Sequence, residues 1–455
     1  MVGRLGLKGN MVFLALVFIV FIDRVNGNIK PTKKNSEDDK KVEFPNRPPI
    51  KSIQSEDGDI IDCIEMHKQP AFDHPSLQNH IIQMKPSYDP IIDTTMKKED
   101  SSMTIISQLW QRSGSCPVGT VPIRRIQKRD HLLGANSLQK YGRKSPYVVH
   151  ASNKTENQEI KHIKTRTSYY PHVNRSDALL ITQGYNYIGA KGDINVWNPK
   201  VESDDEYSTA QIWLKNGPSC CFESVESGWV VNPSLYGDRR TRLFSYWSVS
   251  LLKHNEMKKW RKKTWMASQP ARFYMIVHEV DASKETGCFD LVCSGFVQTS
   301  HEIALGASID PVSAEFGPQY DIAIYIYMDT NTRNWWLQYG DEINIGYWPA
   351  EILGLLKHSA TYVEWGGEVY SSKIGHPKHT ATAMGSGNFA WDLFGSASYI
   401  THIRILDYSM SLKYPSWVHA YTEEEDCYTA LFYQKGYIME PQFYFGGPGW
   451  NPRCP

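Results

Sequence analysis

Tyr320-Asp-Ile-Ala-Ile-Tyr-Ile-Tyr327, then Asp329-Thr-Asn-Thr-Arg333, then Asn334-Trp-Trp-Leu-Gln-Tyr339 is the stretch on which the fold turns. The first and last segments are β-branched and aromatic, and the middle one is short and polar. That order is the signature of two strands joined as a hairpin. The loop begins like a calcium site, but it lacks the glycine at loop position six and the glutamate at twelve, so calcium is not expected there. Outward from the hairpin, residues 187–197, 208–214, 221–231, 243–249, 289–299, 361–371 and 398–406 read as further strands. One short helix is expected, from Ala350 to Leu356. Many strands, frequent turn signals and little helix predict an all-β fold, a sandwich or barrel.

Two of these strands carry glutamates in conspicuous places. In Phe222-Glu-Ser-Val-Glu-Ser-Gly-Trp-Val230, the alternation of a strand puts Val225, Trp229 and Val231 on one face. Ser224, Glu226, Gly228 and Val230 take the other. In Tyr362-Val-Glu-Trp-Gly-Gly-Glu-Val369 the apolar face is Val363, Trp365 and Val369, while Tyr362, Glu364, Gly366 and Glu368 share the opposite one. Each carboxylate lies near a glycine, where backbone is open to an approaching ligand. Two carboxyls from separate strands, one ionised and one protonated, suit hydrolysis by general base and general acid. Like charges at close range resist ionising together, which favours work in acid. Against this stands the ordinary role of a strand glutamate, a solvated or salt-bridged face residue.

Composition narrows the field. The chain has 455 residues, 49 Lys+Arg balanced by 49 Asp+Glu, and 41% hydrophobic residues. A formal charge of zero removes the footprint expected of nucleic-acid or anionic-membrane binding. There is no His-Glu-x-x-His helix, no Gly-x-Ser-x-Gly elbow and no Gly-rich phosphate loop. His67, His74 and His80 cluster early and His376 and His379 lie together later, without spaced carboxylate or cysteine ligands, so neither metal nor cofactor is expected.

Arg4 and Lys8 precede an apolar run from Met11 to Ile22, closed by Val25-Asn26-Gly27. This reads as a secretory signal over residues 1–27, too short to span a bilayer. The expected destination is the extracellular space or cell wall, with the vacuole as the alternative, and the mature protein is expected to be soluble. In an oxidising compartment the eight cysteines read as disulfides. The expected pairs are Cys63–Cys116, Cys288–Cys293 and Cys427–Cys454, leaving the adjacent Cys220 and Cys221, although spacing alone does not fix connectivity. Asn153 and Asn174 head glycosylation sequons, whereas Asn232-Pro233-Ser234 does not qualify.

All tryptophans except Trp110 follow Ser176. Residues 51–133, with Ile60, Ile61, Ile106 and Leu109, hold enough apolar material for a small folded module. Residues 134–176 are basic, polar and without period, and read as an exposed linker. A module, a linker and a large aromatic domain form the layout of a zymogen.

Ordered along nearly the whole chain are motifs that resemble plant neprosin-type proteins of the glutamic peptidase class. In the front part they are Asp57-Gly-Asp-Ile-Ile-Asp-Cys63, Lys68-Gln-Pro-Ala-Phe-Asp-His-Pro75 and Pro122-Ile-Arg-Arg125, similar to that family's activation peptide. Further on come Gly189-Ala-Lys-Gly-Asp-Ile-Asn-Val-Trp197, Ser224-Val-Glu-Ser-Gly-Trp229, Leu235-Tyr-Gly-Asp238, Thr286-Gly-Cys-Phe-Asp-Leu-Val-Cys-Ser-Gly-Phe296, Gly346-Tyr-Trp-Pro349, Val363-Glu-Trp-Gly-Gly-Glu368 and Gly446-Gly-Pro-Gly-Trp-Asn-Pro452. The resemblance implies an activation propeptide and linker over residues 28–165, and a catalytic antiparallel two-sheet β-sandwich over 166–455. It implies cleavage of peptides after proline in acid by two glutamates, carried onto Glu226 and Glu364. Glu368 shares the face and is the alternative second glutamate. Gly228, Trp229, Tyr362, Gly366 and Glu368 would line the substrate cleft. The implied partners are a proline-containing peptide or protein and the chain's own propeptide as inhibitor, in a monomer.

One departure stands out. Residues 251–280, with Lys253, Lys258, Lys259, Arg261, Lys262, Lys263 and Arg272, are additional to the family's short connection and carry no strand period. They are either a surface loop or a translated intron. A rival reading of the chain is a secreted, non-catalytic β-sandwich that binds cell-wall carbohydrate or peptide through its aromatic residues.

Overall fold

The computed structural model of the chain describes residues 47–88, 91–92, 107–126, 141, 174–217, 222–249, 287–435 and 439–455. The leader over residues 1–27, the Asn153 sequon, Cys220, Cys221, Ile106 and the extra stretch 251–280 lie outside the described residues. Among the described residues no helix is long and apolar enough to cross a membrane.

The main sheet begins with one very long strand, β1 (Arg175–Asn195). After it come β2 (Tyr207–Asn216), β3 (Glu223–Val231), β4 (Arg242–Ser248) and the two-residue β5 (Cys288–Phe289). The expected hairpin follows as β6 (Asp321–Met328) and β7 (Trp335–Tyr339), closed where Met328 faces Trp335. β8 (Ile343–Trp348), β9 (Ala360–Tyr370), β10 (Ser398–Asp407), β11 (His419–Thr422), β12 (Thr429–Tyr433) and β13 (Gln442–Gly446) complete it. Hydrogen-bonded neighbours run β5-β4-β3-β2-β9-β1-β6-β7-β8; β10 and β11 pair with β1, β13 pairs with β10, and β12 pairs with β13.

Instead of two separate sheets there is one, bent back on itself, and β1 makes the bend. Its first half pairs with β9 and β11, and its second half with β6 and β10. Between the halves Gly184, Tyr185 and Asn186 are exposed, and Gly184 sits at φ +100°, a region that favours glycine. The β9 pairing slips at this point, with Tyr362 opposite Gln183 and Ala360 opposite Tyr187. That slip is a bulge, and bulges bend strands. The two limbs enclose one core of Leu180, Ile194, Ile212, Val225, Trp229, Ile324, Trp335, Trp348, Trp365 and Ile400, among others. Each fully buried tryptophan there removes roughly 200 Å² from water, worth about 5 kcal/mol before entropy is charged. Val225, Trp229, Val363, Trp365 and Val369 all face this core, as strand alternation predicts.

Three expectations are corrected. The segment 289–299 is not one strand but β5 and the pair Val297–Gln298, separated by the loop that the Cys288–Cys293 disulfide closes. The helix expected at Ala350–Leu356 is a single 3₁₀ turn, Ala350–Ile352, because Gly354 to Leu356 give their N–H groups to the Glu223 carboxylate. The linker is not wholly exposed, since Tyr141 is buried.

The front module pairs Lys51–Gln54, Ile60–Glu65 and Thr120–Arg124 in a small antiparallel sheet. Cys63–Cys116 staples it, and Cys427–Cys454 ties the C-terminus. The module does not stand apart. Ile53, Ile61 and Trp110 pack with Ala304 and Ala307 of the large domain. Gln69 exchanges two hydrogen bonds with the Gln298 backbone, and Asp59 forms an ion pair with the wholly buried Arg242 at 2.5 Å.

Candidate active site

The face of the β4-β3-β2-β9-β1 limb turned away from the core carries the polar cluster. In the β3-β2-β9 ladder Trp213 lies opposite both Glu226 and Glu364. Directly opposed residues project from the same face, and two strand spacings put these two glutamates' Cα atoms about 10 Å apart. One step along, Gln211 lies between Gly228 and Gly366. A further step brings Thr209 between Val230 and Glu368. The three glutamates thus share one face, as strand alternation predicts, and all three are buried.

The glycines are there for space. A Cβ on Gly228 would overlap the Ala210 carbonyl oxygen and crowd the Gln211 Cα and Cβ. A Cβ on Gly366, at φ +150°, would overlap the Ala178 carbonyl oxygen. Gly228 lets β2 close on β3, Gly366 lets β9 close on β1, and Gln211 lies in the ladder between the two glycines.

Each carboxylate has its own counterpart. Lys215 donates to Glu364 Oε2 at 2.5 Å, within a pair that is almost completely buried. Burial alone would lower the Lys215 pKa, but the charges of Glu364 and Glu226 outweigh it and hold it raised. Glu368 accepts from the Tyr207 hydroxyl at 2.6 Å and lies 3.8 Å from the Arg175 guanidinium. Arg175 stays charged despite burial because Tyr207, Glu368 and Asp177 surround it. Beside them, Glu423 is pushed up to about 10 by burial and by the charges of Asp177, Glu424 and Glu368.

Glu226 meets a different group. The Tyr141 hydroxyl donates to Gln211 Oε1 at 2.8 Å and lies 3.4 Å from Glu226 Oε2. Burial raises the Tyr141 phenol far above its ordinary range, and the charges of Glu226 and then Glu368 raise it further. Tyr141 therefore stands in the space that Glu226 and Glu368 both face, while Glu364 is engaged by Lys215.

Of the other residues read from the sequence, Trp229 is a core residue whose indole donates to the Asn195 carbonyl at 2.9 Å, not part of a cleft. Its neighbour Gly228 and the opposed Gly366 are at the centre of the site. Tyr362 is half-buried beside Glu364, with its phenol raised by burial and by the Glu364 charge. Gln211 and Tyr141 were not legible as site residues. Alternation places Gln211 on the same face as Trp213, but only the register shows what lies opposite.

Among the described residues, one group brings potential metal ligands together, His379 with Cys427 and Cys454. Both sulfurs are spent in their disulfide. His80 instead contacts the Tyr347 hydroxyl and the Glu351 carboxylate.

These features define an all-β protein with a carboxylate-lined site, against which an N-terminal module is packed. Residues 204–259 and 260–448 match the family model described as Neprosin, and residues 52–175 match the one described as Neprosin activation peptide. The chain belongs to the Neprosin family and carries that family's activation peptide. Among solved structures it is similar to a Scytalido-glutamic peptidase bound to a peptide-based transition-state analogue, at 10% identity and TM-score 0.27, over 61% of this chain and 98% of that one. A second is SCP-B, a member of the eqolisin family of peptidases in complex with the tripeptide Ala-Ile-His, at 10% identity and TM-score 0.27, over 60% of this chain and 98% of that one. Likenesses this distant do not bear on the site.

Proposed function

We propose that the protein is a secreted zymogen of a glutamic endopeptidase, with Glu226 and Glu368 as the reacting carboxyls. The observation that supports this pair is the placement of the Tyr141 phenol, which is bonded to Gln211, adjacent to Glu226, and raised by the charges of Glu226 and Glu368. A substrate peptide would take that space once Tyr141 leaves. One carboxylate would draw a proton from water as it attacks the carbonyl carbon, and the other, protonated, would donate to the departing amine. Gln211, fixed between two glycines, is placed to hydrogen-bond the carbonyl oxygen as charge builds on it. Hydrolysis needs one carboxyl ionised and one protonated, a state populated in acid. Glu364, ranked ahead of Glu368 on sequence, forms with Lys215 the ion pair next to Glu226. Preference for proline rests on the family resemblance, and secretion on the leader.

The test is cleavage of a proline-containing peptide at pH 3–5 by the processed protein and by Glu226→Gln, Glu368→Gln and Glu364→Gln. Loss of about 10³-fold in kcat/KM for the first two, with Glu364→Gln retaining at least a tenth, is the expected pattern. Undiminished turnover by Glu226→Gln would end the proposal. Inactivity of Glu364→Gln with an active, equally stable Glu368→Gln would instead make Glu364 the second carboxyl. An inert wild type that binds oligosaccharide would favour the non-catalytic alternative.

A further inference from the structure

Tyr141 belongs to the segment matched by the activation-peptide model, yet no part of its side chain meets solvent. Four rings of the large domain surround it. The centroids of Phe289, Tyr246, Tyr207 and Phe244 lie 4.3, 4.5, 5.1 and 6.1 Å from its own. The two nearest and Phe244 meet it in tilted or edge-on arrangements, the geometry in which aromatic quadrupoles attract. At the bottom of this box is Gln211, accepting from the phenol hydroxyl. The box is built into the fold. Tyr207 is on β2, Phe244 and Tyr246 on β4, and Phe289 on β5, where Phe289 pairs with Tyr246 in the ladder. Phe244 faces Gly228 and Tyr246 faces Glu226 across the next strand, so the box is contiguous with the proposed reacting groups.

A flat ring with a hydroxyl at its far end satisfies such a box completely. An aliphatic side chain would forgo the ring contacts and leave the Gln211 oxygen without that donor, and a carboxylate would meet Glu226 and Glu368. We propose that the box formed by Tyr207, Phe244, Tyr246, Phe289 and Gln211 is a side-chain subsite for aromatic residues, tyrosine above all, and that Tyr141 is a tethered pseudosubstrate which fills it in the full-length chain. This rests on the reading of Glu226 and its neighbours as the hydrolytic site. It adds a second recognition element to whatever residue flanks the scissile bond, and it names the contact that keeps the site closed.

The test uses the full chain, comparing wild type with Tyr141→Ala, with binding measured at neutral pH and initial rates of hydrolysis at pH 5. N-acetyl-tyrosinamide is the probe and N-acetyl-alaninamide the control, with binding read by saturation-transfer NMR and activity on a peptide containing tyrosine. Tyr141→Ala is expected to bind the tyrosine probe and not the alanine one, to hydrolyse the peptide at least tenfold faster than unprocessed wild type, and to be inhibited competitively by the probe. Binding of the probe without hydrolysis by any form would uphold the subsite and refute the hydrolytic reading. Hydrolysis that appears in Tyr141→Ala with no probe binding would refute the subsite and leave the hydrolytic reading standing. No gain in either overturns the proposal. Should Tyr141→Ala fail to fold, Tyr141→Phe keeps the ring and removes the hydroxyl with its bond to Gln211 and its longer contact to Glu226. About fivefold greater probe binding than wild type is then expected, and equality with wild type overturns the proposal.

Discussion

Gly228 and Gln211 show how closely backbone and chemistry are joined here. Gly228 lacks a side chain so that β2 can approach β3 with Gln211 upright between them. Gly228→Ala is therefore expected to destabilise the fold by about 3 kcal/mol, as overpacking does, and to lower activity through displacement of Gln211. Urea denaturation beside peptide cleavage checks this, and an Ala variant of wild-type stability would show that the strands have room to part. At this scale the glutamates were legible because alternation assigns a side chain to a face from local sequence alone. Gln211 was not, because the residues opposite it come from positions 228 and 366, and no local pattern reports register. Tyr141 was hidden for a plainer reason. A lone tyrosine in a polar, aperiodic stretch looks the same whether it points into solvent or into a box of rings.

Among the elements, β2 and β9 carry a buried ion pair whose two halves have different consequences. Removing one partner strands a charge in the interior, whereas removing both can be neutral. Lys215→Met is expected to cost about 3–5 kcal/mol because Glu364 is left buried without its cation. The double variant Lys215→Met/Glu364→Gln is expected to recover most of that loss. A double-mutant cycle in denaturant measures it, and additive losses would mean that the two groups do not depend on each other. Most strands were legible for the same reason as the hairpin, namely β-branched and aromatic runs between turn residues. The failures were physical as well. The run 289–299 holds strand-forming residues, but a disulfide spanning Cys288 and Cys293 closes a loop through it. The 350–356 helix fails because the backbone donors it would need are bound to Glu223.

Over the whole molecule, buried carboxyls set the response to pH. Burial pushes Asp290 up to about 7 against its bonds from the Ser245 N–H and the Tyr236 hydroxyl. Asp321 is raised to about 6, chiefly by burial, and Glu423 to about 10. A carboxyl with a raised folded pKa holds its proton more tightly when folded, so the stability it contributes is complete in acid and declines as pH climbs through the window up to that value. Groups with lowered values act oppositely. Glu202, held at about 2 by Lys373 and the Ala381 N–H, contributes stability above the ordinary glutamate range that is lost as pH falls toward 2. Tm is therefore expected to rise from pH 8 to about 4.5 and to fall below about pH 3, with Asp290→Asn flattening the rise between pH 4 and 7. A wild-type Tm that climbs steadily from pH 4.5 to 8 would contradict this balance. The all-β class was legible because it needs only local periodicity, whereas a single folded sheet in place of two depended on a bulge at Gly184 that alternation does not register.

The double duty of β1 also bears on biosynthesis. Emerging from the ribosome ahead of the other strands of the large domain, it must wait for β9 and β11, encoded after residue 359, before its leading half acquires hydrogen-bonding neighbours on both sides. Pairings between such distant parts of a chain are slow to form. Closure of the large domain is accordingly a late event, and a nascent polypeptide stalled anywhere before β9 would present that half-strand as an open edge to chaperones or to other copies of itself.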